Sequence, residues 1–136
     1  MTDEFEKELE IIRKTRIEEI TMAKDSKADW PGEPVSITDK DFQSFVKRYP
    51  YAIVDCWAPW CGPCRMLGPV IDDVAKDYTG RIAFGKLNTD DNQATSAMFE
   101  VMSIPTLLFF KNGELVDRTV GAMPKQALEI VIKKHL

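Results

Sequence analysis

The sequence is poor in the residues that several common kinds of protein need. Of its 136 residues only three are cysteine and one is histidine. Three cysteines are few and odd in number for a disulfide-stapled secreted domain, so we expect a redox or metal role in a reducing compartment. No apolar run approaches the roughly 18 residues that span a bilayer, and we therefore predict no membrane partner.

Basic charge and targeting signals are also scarce. The 18 lysines and arginines are outnumbered by 22 acidic residues, so nucleic acid is a poor candidate partner. Half of residues 1–6 are acidic, where a secretory signal would be basic and then apolar. No glycine-rich phosphate loop or dinucleotide fingerprint occurs, so we expect no cofactor. We predict a cytoplasmic monomer.

The first part of the chain differs in composition from the rest. Up to residue 29 about half of the side chains are charged, and apolar residues recur at helical spacing, which predicts an amphipathic helix over residues 3–24. Two prolines and a glycine then forbid a helix, so we assign residues 1–34 to a charged helix with a Pro-rich linker. This helix is either solvated or a docking element for a reductase, a target or a second copy. Residues 35–136 form the second domain.

Strands and helices alternate through the second domain. Strands are predicted at residues 35–37, 51–57, 81–87, 106–110 and 115–120. Helices are predicted from an N-cap at Thr38 to Arg48, over residues 61–78 with a bend at Pro69, from about residue 93 to Phe99, and from Pro124 to His135. Two βαβ-like units, an antiparallel hairpin and a closing helix predict an α/β fold with a mixed central sheet flanked by helices.

Cys61 and Cys64 form a Cys-x-x-Cys motif at a predicted strand-to-helix junction. Cys61 would lie at the helix N-terminus, where free backbone N–H groups and the helix dipole stabilise a thiolate. Gly62 permits a close turn, and Pro63 lies where a missing N–H costs little. The motif predicts thiol–disulfide exchange, in which Cys61 attacks a substrate disulfide and Cys64 resolves the mixed disulfide. We expect Cys61 to be the more exposed and more acidic thiol.

A Cys-x-x-Cys motif can also belong to a zinc site or to a purely structural disulfide. Zinc normally takes four ligands, and only Cys56 and His135 could join the pair. A structural disulfide would close a very short loop and stabilise the fold little. Cys56 lies in a strand that is predicted to be buried, where we favour an inert thiol over a redox role.

The segment Asp55–Met66, with Trp-Cys-Gly-Pro-Cys at its centre, resembles the active-site segment of the thioredoxin family. The segment Ser103–Thr106 resembles the cis-proline loop of that family, and shorter matches follow in the family's order at Lys86–Asn88, Phe110–Gly113 and Val120–Ala122. The resemblance covers residues 35–136. It implies a thioredoxin fold and a dithiol that reduces disulfide-containing protein substrates. A separate thioredoxin reductase would reduce the resulting disulfide and regenerate this dithiol.

The resemblance also implies roles for individual residues in substrate binding. Trp60 would form part of a substrate-facing surface, whereas Trp57 flanks the site or packs in the core. Ile104 and Pro105 would pair through their backbone with an extended substrate segment, unless Pro105 is only a strand-entry proline. Gly121 resembles the glycine that borders the docking surface, with an ordinary turn as the alternative.

Asp55 lies among apolar residues of a predicted strand, where a carboxylate is out of place unless it has a role. Burial should raise its pKa, and Lys86 resembles the family's lysine partner that would moderate the increase. We interpret Asp55 as the group that takes the proton from Cys64, with a structural ion pair as the alternative.

These observations favour a general cytosolic protein-disulfide reductase. A binding module that docks partners through Trp60 and Pro105 is the competing hypothesis, and the presence of both cysteines and Asp55 disfavours it. An oxidant or isomerase is a third hypothesis. Family members with different residues between the cysteines act in those ways, whereas Gly62-Pro63 resembles the reducing type.

Overall fold

A computed structural model describes residues 30–136, so the predicted helix over residues 3–24 lies outside the described residues. The strands are β1 (Val35–Ile37), β2 (Tyr51–Trp57), β3 (Ala83–Asn88), β4 (Thr106–Lys111) and β5 (Glu114–Val120). The helices are α1 (Phe42–Arg48), α2 (Gly62–Asp77), α3 (Gln93–Met98) and α4 (Lys125–Lys134). None of these helices is long and apolar enough to cross a bilayer.

The five strands form one mixed sheet in the order β1-β3-β2-β4-β5. Strand β3 runs parallel to both β1 and β2, while β4 is antiparallel to β2 and to β5. The first six residues of the central strand β2 are buried, which agrees with its nearly continuous apolar sequence. The C-terminal end of this central strand leads directly into the Cys-x-x-Cys motif.

Helices cover both faces of the sheet. One core lies beneath α2 and α4 and contains Tyr51, Ile53, Phe84, Leu107 and Phe109 from the strands and Leu67, Ile71, Val74, Leu128 and Ile132 from the helices. On the other face Phe42 of α1, Phe99 beyond α3 and Phe110 of β4 form a triad with ring centroids 5.4 Å apart. Because side chains alternate along a strand, Asp55 faces α2 and α4 whereas Cys56 faces the opposite side.

Two predicted element boundaries were wrong. Helix α1 begins at Phe42, because the Asp41 side chain accepts hydrogen bonds from the backbone N–H and hydroxyl of Thr38, and these bonds form a turn before the helix. Strand β3 begins at residue 83, because the N–H groups of Arg81 and Ile82 donate to the Tyr78 carbonyl and prolong the turn that ends α2. Elsewhere the predicted boundaries match the structure to within one residue.

The cap of α3 comes from a residue that is distant in the sequence. The Asp39 carboxylate accepts hydrogen bonds from the N–H groups of Ala94 (3.1 Å) and Thr95 (2.9 Å), and from the Thr95 hydroxyl (2.6 Å). Asn92, at the N-cap position, instead accepts a hydrogen bond from the Asp39 N–H at 2.8 Å. Burial tends to raise the pKa of Asp39, but the bonds from Thr95 and Ala94 outweigh it and lower the pKa.

Candidate active site

Cys61 caps α2 and is joined to Cys64 by a disulfide bond. The backbone of Cys61 is extended (φ −88°, ψ 112°), and its sulfur accepts a hydrogen bond from the Cys64 N–H at 3.2 Å. The two Cα atoms are 5.2 Å apart, within the range that a disulfide requires. Pro63 occupies the first turn of the helix, where its missing N–H leaves no gap in the hydrogen bonding.

Both cysteines are covered in this disulfide form. Cys61 is 3% exposed and Cys64 is 5% exposed, so the predicted difference in exposure between the two thiols is absent from this form. The reason is packing, because Trp57, Ala58 and Ile104 surround the pair. The sequence reveals only the position of Cys61 along the chain and not the side chains that fold over it.

The cis-proline loop lies against the disulfide. The Ile104–Pro105 peptide bond is cis, and the Ile104 carbonyl oxygen is 3.8 Å from the Cys61 sulfur. The Gly121 N–H donates a hydrogen bond to the Pro105 carbonyl at 2.8 Å, and Gly121 has φ +96°, a conformation that favours glycine. The structure therefore brings together three segments that are far apart in the sequence.

Trp60 stands at the surface beside the disulfide. Its side chain is 67% exposed, and its indole N–H donates to both carboxylate oxygens of Asp90, at 3.0 and 3.2 Å. The indole forms one side of a groove of about 410 Å³, which also includes Thr89, Ser96, Val101, Met102, Ser103 and Ile104. We did not predict Asp90, Ser96 or Met102 as site residues, because none belongs to a motif and only the fold places them near Cys61.

Asp55 is the charged residue in the buried part of β2. Its side chain is 1% exposed, and one carboxylate oxygen has no hydrogen-bond partner among residues 30–136. Burial raises the pKa of Asp55 to about 7, and the positive charge of Lys86 partly opposes that increase, as expected. Lys86 is the direct neighbour of Asp55 across the β2–β3 pair, and its ammonium lies 4.7 Å from the centre of the Trp57 ring.

Cys56 is fully buried on the face of the sheet opposite to Asp55. Burial, with a contribution from the Asp55 charge, raises the pKa of the Cys56 thiol to about 12, although Arg118 opposes the increase. The thiol is therefore protonated near neutral pH, which favours the inert role. Within residues 30–136 no group of three or more histidine, cysteine or acidic side chains is placed to hold a metal ion.

Comparison with known proteins identifies the family. The thioredoxin family model matches residues 33–134. The chain belongs to the thioredoxin family. It is 50% identical to thioredoxin from Haemophilus influenzae over 105 residues, which are 76% of this chain and 98% of that protein. Thioredoxin from Staphylococcus epidermidis is also 50% identical, over 102 residues that cover 75% of this chain and 97% of that protein.

A solved structure agrees with the family assignment. A mutant thioredoxin from Halobacterium salinarum superposes with a TM-score of 0.73 at 32% identity, covering 78% of this chain and 93% of that one. The thioredoxin fold and the resemblance described above are therefore confirmed. This member of the thioredoxin family is a thiol–disulfide oxidoreductase with a redox-active cysteine pair, and its substrates are disulfide-containing proteins.

Proposed function

We propose that the protein is a general reductant of protein disulfides, with Cys61 as the nucleophile and Cys64 as the resolving thiol. The supporting observation is the position of Cys61 at the N-terminus of α2, where its sulfur accepts the Cys64 N–H. The same N–H and the helix dipole would stabilise a Cys61 thiolate in the reduced protein. Gly62 and Pro63 form the turn that keeps the two sulfurs within bonding reach.

The reaction then proceeds in two exchanges. The Cys61 thiolate attacks one sulfur of the substrate disulfide, that S–S bond breaks, and the departing sulfur leaves as a thiolate that takes up a proton. Cys64 loses its proton and attacks the Cys61 sulfur of the mixed disulfide. The second substrate thiol is released, and the Cys61–Cys64 disulfide seen in the structure is the product.

Asp55 would take the proton that Cys64 loses. A pKa near 7 makes both the acid and the carboxylate available near neutral pH, which is the condition for efficient general base catalysis. Lys86 would keep the pKa of Asp55 from rising further, because its positive charge favours the carboxylate. Lys86 is thus a positioning residue that acts through Asp55.

The substrate would bind across the cis-proline loop. An extended segment of the target would pair with the backbone around Ile104 and Pro105, in the manner of strand addition. Trp60 and Gly121 would border this segment on either side. A thioredoxin reductase would return electrons to the Cys61–Cys64 disulfide in the cytoplasm, and the protein would act as a monomer without a cofactor of its own. Residues 1–34 would serve as a separate, accessory segment.

Reduction of insulin by dithiothreitol tests this proposal directly. The protein should accelerate the reduction, Cys61→Ser should abolish the acceleration, and Cys64→Ser should accumulate a mixed disulfide at Cys61. Cys56→Ala is the matched control, because it removes a thiol outside the pair and should leave the rate unchanged. Acceleration that survives Cys61→Ser would overturn the assignment. Titration of the Cys61–Cys64 pair against glutathione measures its reduction potential and so tests whether the protein reduces or oxidises its substrates. A strongly oxidising potential would favour an oxidant instead.

A further inference from the structure

The Lys86 ammonium lies over the face of the Trp57 ring. Its nitrogen is 4.7 Å from the ring centroid, within the distance of a cation–π contact. Lys86 is the direct neighbour of Asp55 across the β2–β3 pair, yet it forms no ion pair with a carboxylate of residues 30–136. The close contact of this cation is therefore the indole, whereas its charge acts on Asp55 from beyond ion-pair distance.

The register of the sheet makes this contact possible. Asp55 and Trp57 are two residues apart on β2, so their side chains project from the same face of the sheet. Lys86 lies opposite Asp55 on β3, and its side chain therefore projects from that face too and reaches the neighbouring indole. One lysine thus acts on both a carboxyl group and an aromatic ring.

The Trp57 ring has no hydrogen bond of its own to fix its orientation. Its indole N–H is buried and has no hydrogen-bond partner in the described part of the chain. The backbone of Trp57 is held in place, since its carbonyl oxygen accepts hydrogen bonds from the N–H of Thr89 at 2.8 Å and from the Thr89 hydroxyl at 3.2 Å. The orientation of the ring is therefore set by packing and by the cation on its face.

The Trp57 ring covers the cysteine pair. Together with Ile104 it packs against Ala58, Cys61 and Cys64, and the two cysteines are almost fully buried in the disulfide form. A reagent that is to reach either sulfur without docking must wait for this cover to open. The contact with Lys86 opposes such opening, because the attraction is lost when the ring moves away.

We propose that Lys86 is a positioning residue for the cysteine pair, because its ammonium holds the Trp57 ring over Cys61 and Cys64 and so hinders small reagents that do not dock. A cation–π contact at a partly exposed site changes the population of the open cover by about threefold. The proposal rests on the disulfide exchange of the proposed function. It gives Lys86 a role that is separate from its action through Asp55.

Reduction of the Cys61–Cys64 disulfide by an uncharged trialkylphosphine, tris(hydroxypropyl)phosphine, tests the proposal. Phosphorus attacks one sulfur, the S–S bond breaks, and water supplies the oxygen of the phosphine oxide and the protons of the two thiols. An uncharged reagent is not steered by the charge that the variants remove. All variants are made in the full chain with Asp55→Asn, so that the action of Lys86 through Asp55 is removed from every measurement.

We expect Lys86→Gln to raise the second-order rate constant of this reduction about threefold. Lys86→Arg should keep the original rate, because a guanidinium also binds over an aromatic ring. Lys76→Gln is the matched control and should leave the rate unchanged, since Lys76 is an exposed lysine that lines the same surface groove as Lys86. In a chain that also carries Trp57→Leu, Lys86→Gln should have no further effect.

Acrylamide quenching of Trp57 fluorescence gives a second readout, which does not depend on reactivity and remains available if Trp57→Leu fails to fold. Trp57 is observed alone when the other two of the three tryptophans, Trp30 and Trp60, are replaced by phenylalanine. Lys86→Gln should increase the quenching constant, because the ring opens to solvent more often. Lys86→Arg and Lys76→Gln should leave the constant unchanged.

The outcomes distinguish this proposal from the proposed function. An unchanged phosphine rate or unchanged quenching in Lys86→Gln, or an equal increase in Lys76→Gln, would overturn the role of Lys86 at the ring. An increase that persists in full beside Trp57→Leu would overturn it too, because the effect would not pass through the indole. None of these results touches insulin reduction by the unmodified protein, whose absence would instead contradict the proposed function.

Discussion

Replacing Asp55 by asparagine removes one buried ionisable group and leaves a side chain of almost the same size. The folded protein holds the Asp55 proton up to a pH of about 7, whereas the carboxyl group ordinarily loses it at 3.8. Between these two values the folded state binds a proton that the unfolded chain has released. The stability of the unmodified protein must therefore fall as pH rises through this window, and level off above it.

The size of the effect follows from the same two pKa values. They differ by about 3 pH units, and each unit corresponds to about 1.4 kcal/mol, so the upper limit is about 4 kcal/mol. Asp55 is 1% exposed, so solvent screening reduces this figure little. Asp55→Asn lacks the pH-dependent loss, and its stability relative to the unmodified protein should therefore grow by up to about 4 kcal/mol between pH 4 and pH 8.

Guanidinium denaturation of the disulfide form at five pH values between 4 and 8 measures this difference. The remaining titrating groups are common to both proteins, so their contributions cancel. Asp72→Asn, an exposed carboxylate on α2, controls for the loss of one negative charge. A difference that stays constant with pH, or shrinks as pH rises, would refute the assignment of a raised pKa. The variant should also release reduced substrate more slowly, and a fully active variant would refute the catalytic role of Asp55.

Three further predictions concern the cap of α3, the reactive thiol and the N-terminal segment. Asp39→Ala should lower the free energy of unfolding by about 1–2 kcal/mol in thermal or chemical denaturation, because the hydrogen bonds that cap α3 are lost. In the reduced protein, iodoacetamide near neutral pH should label Cys61 before Cys64, as shown by mass spectrometry, and abolish insulin reduction. A chain that begins at Glu33 should fold and reduce a small disulfide at a rate similar to that of the full chain.

Each of these measurements has a contradicting outcome. Lys40→Ala is the matched control for Asp39, because Lys40 is an exposed neighbour, and an equal loss of stability in both variants would argue against the cap. Earlier labelling of Cys64 would reverse the proposed order of attack. A large loss of rate in the shortened chain would show that the N-terminal segment helps to build the site.

The amino-acid sequence determined the features that depend on residues close together in the chain. The apolar run of β2 followed by Cys-Gly-Pro-Cys specifies a buried strand, a turn and a helix N-terminus, because each step depends on local backbone preferences. The Asn112-Gly113 turn and the flanking strands likewise follow from local turn geometry. The resemblance to the family supplied the residues around the cis-proline, and the matched family model agrees with it.

Only the tertiary structure decided what depends on contacts between distant segments. Asp39 caps a helix that begins more than fifty residues later, and nothing near Asp39 in the sequence indicates this. The depth at which Asp55 is buried, and hence its pKa, depends on the packing of the helices over the sheet. That the Ser96 hydroxyl has no hydrogen-bond partner within residues 30–136 is likewise visible only in the fold, because hydrogen-bond partners and burial are properties of the packed chain rather than of any local pattern.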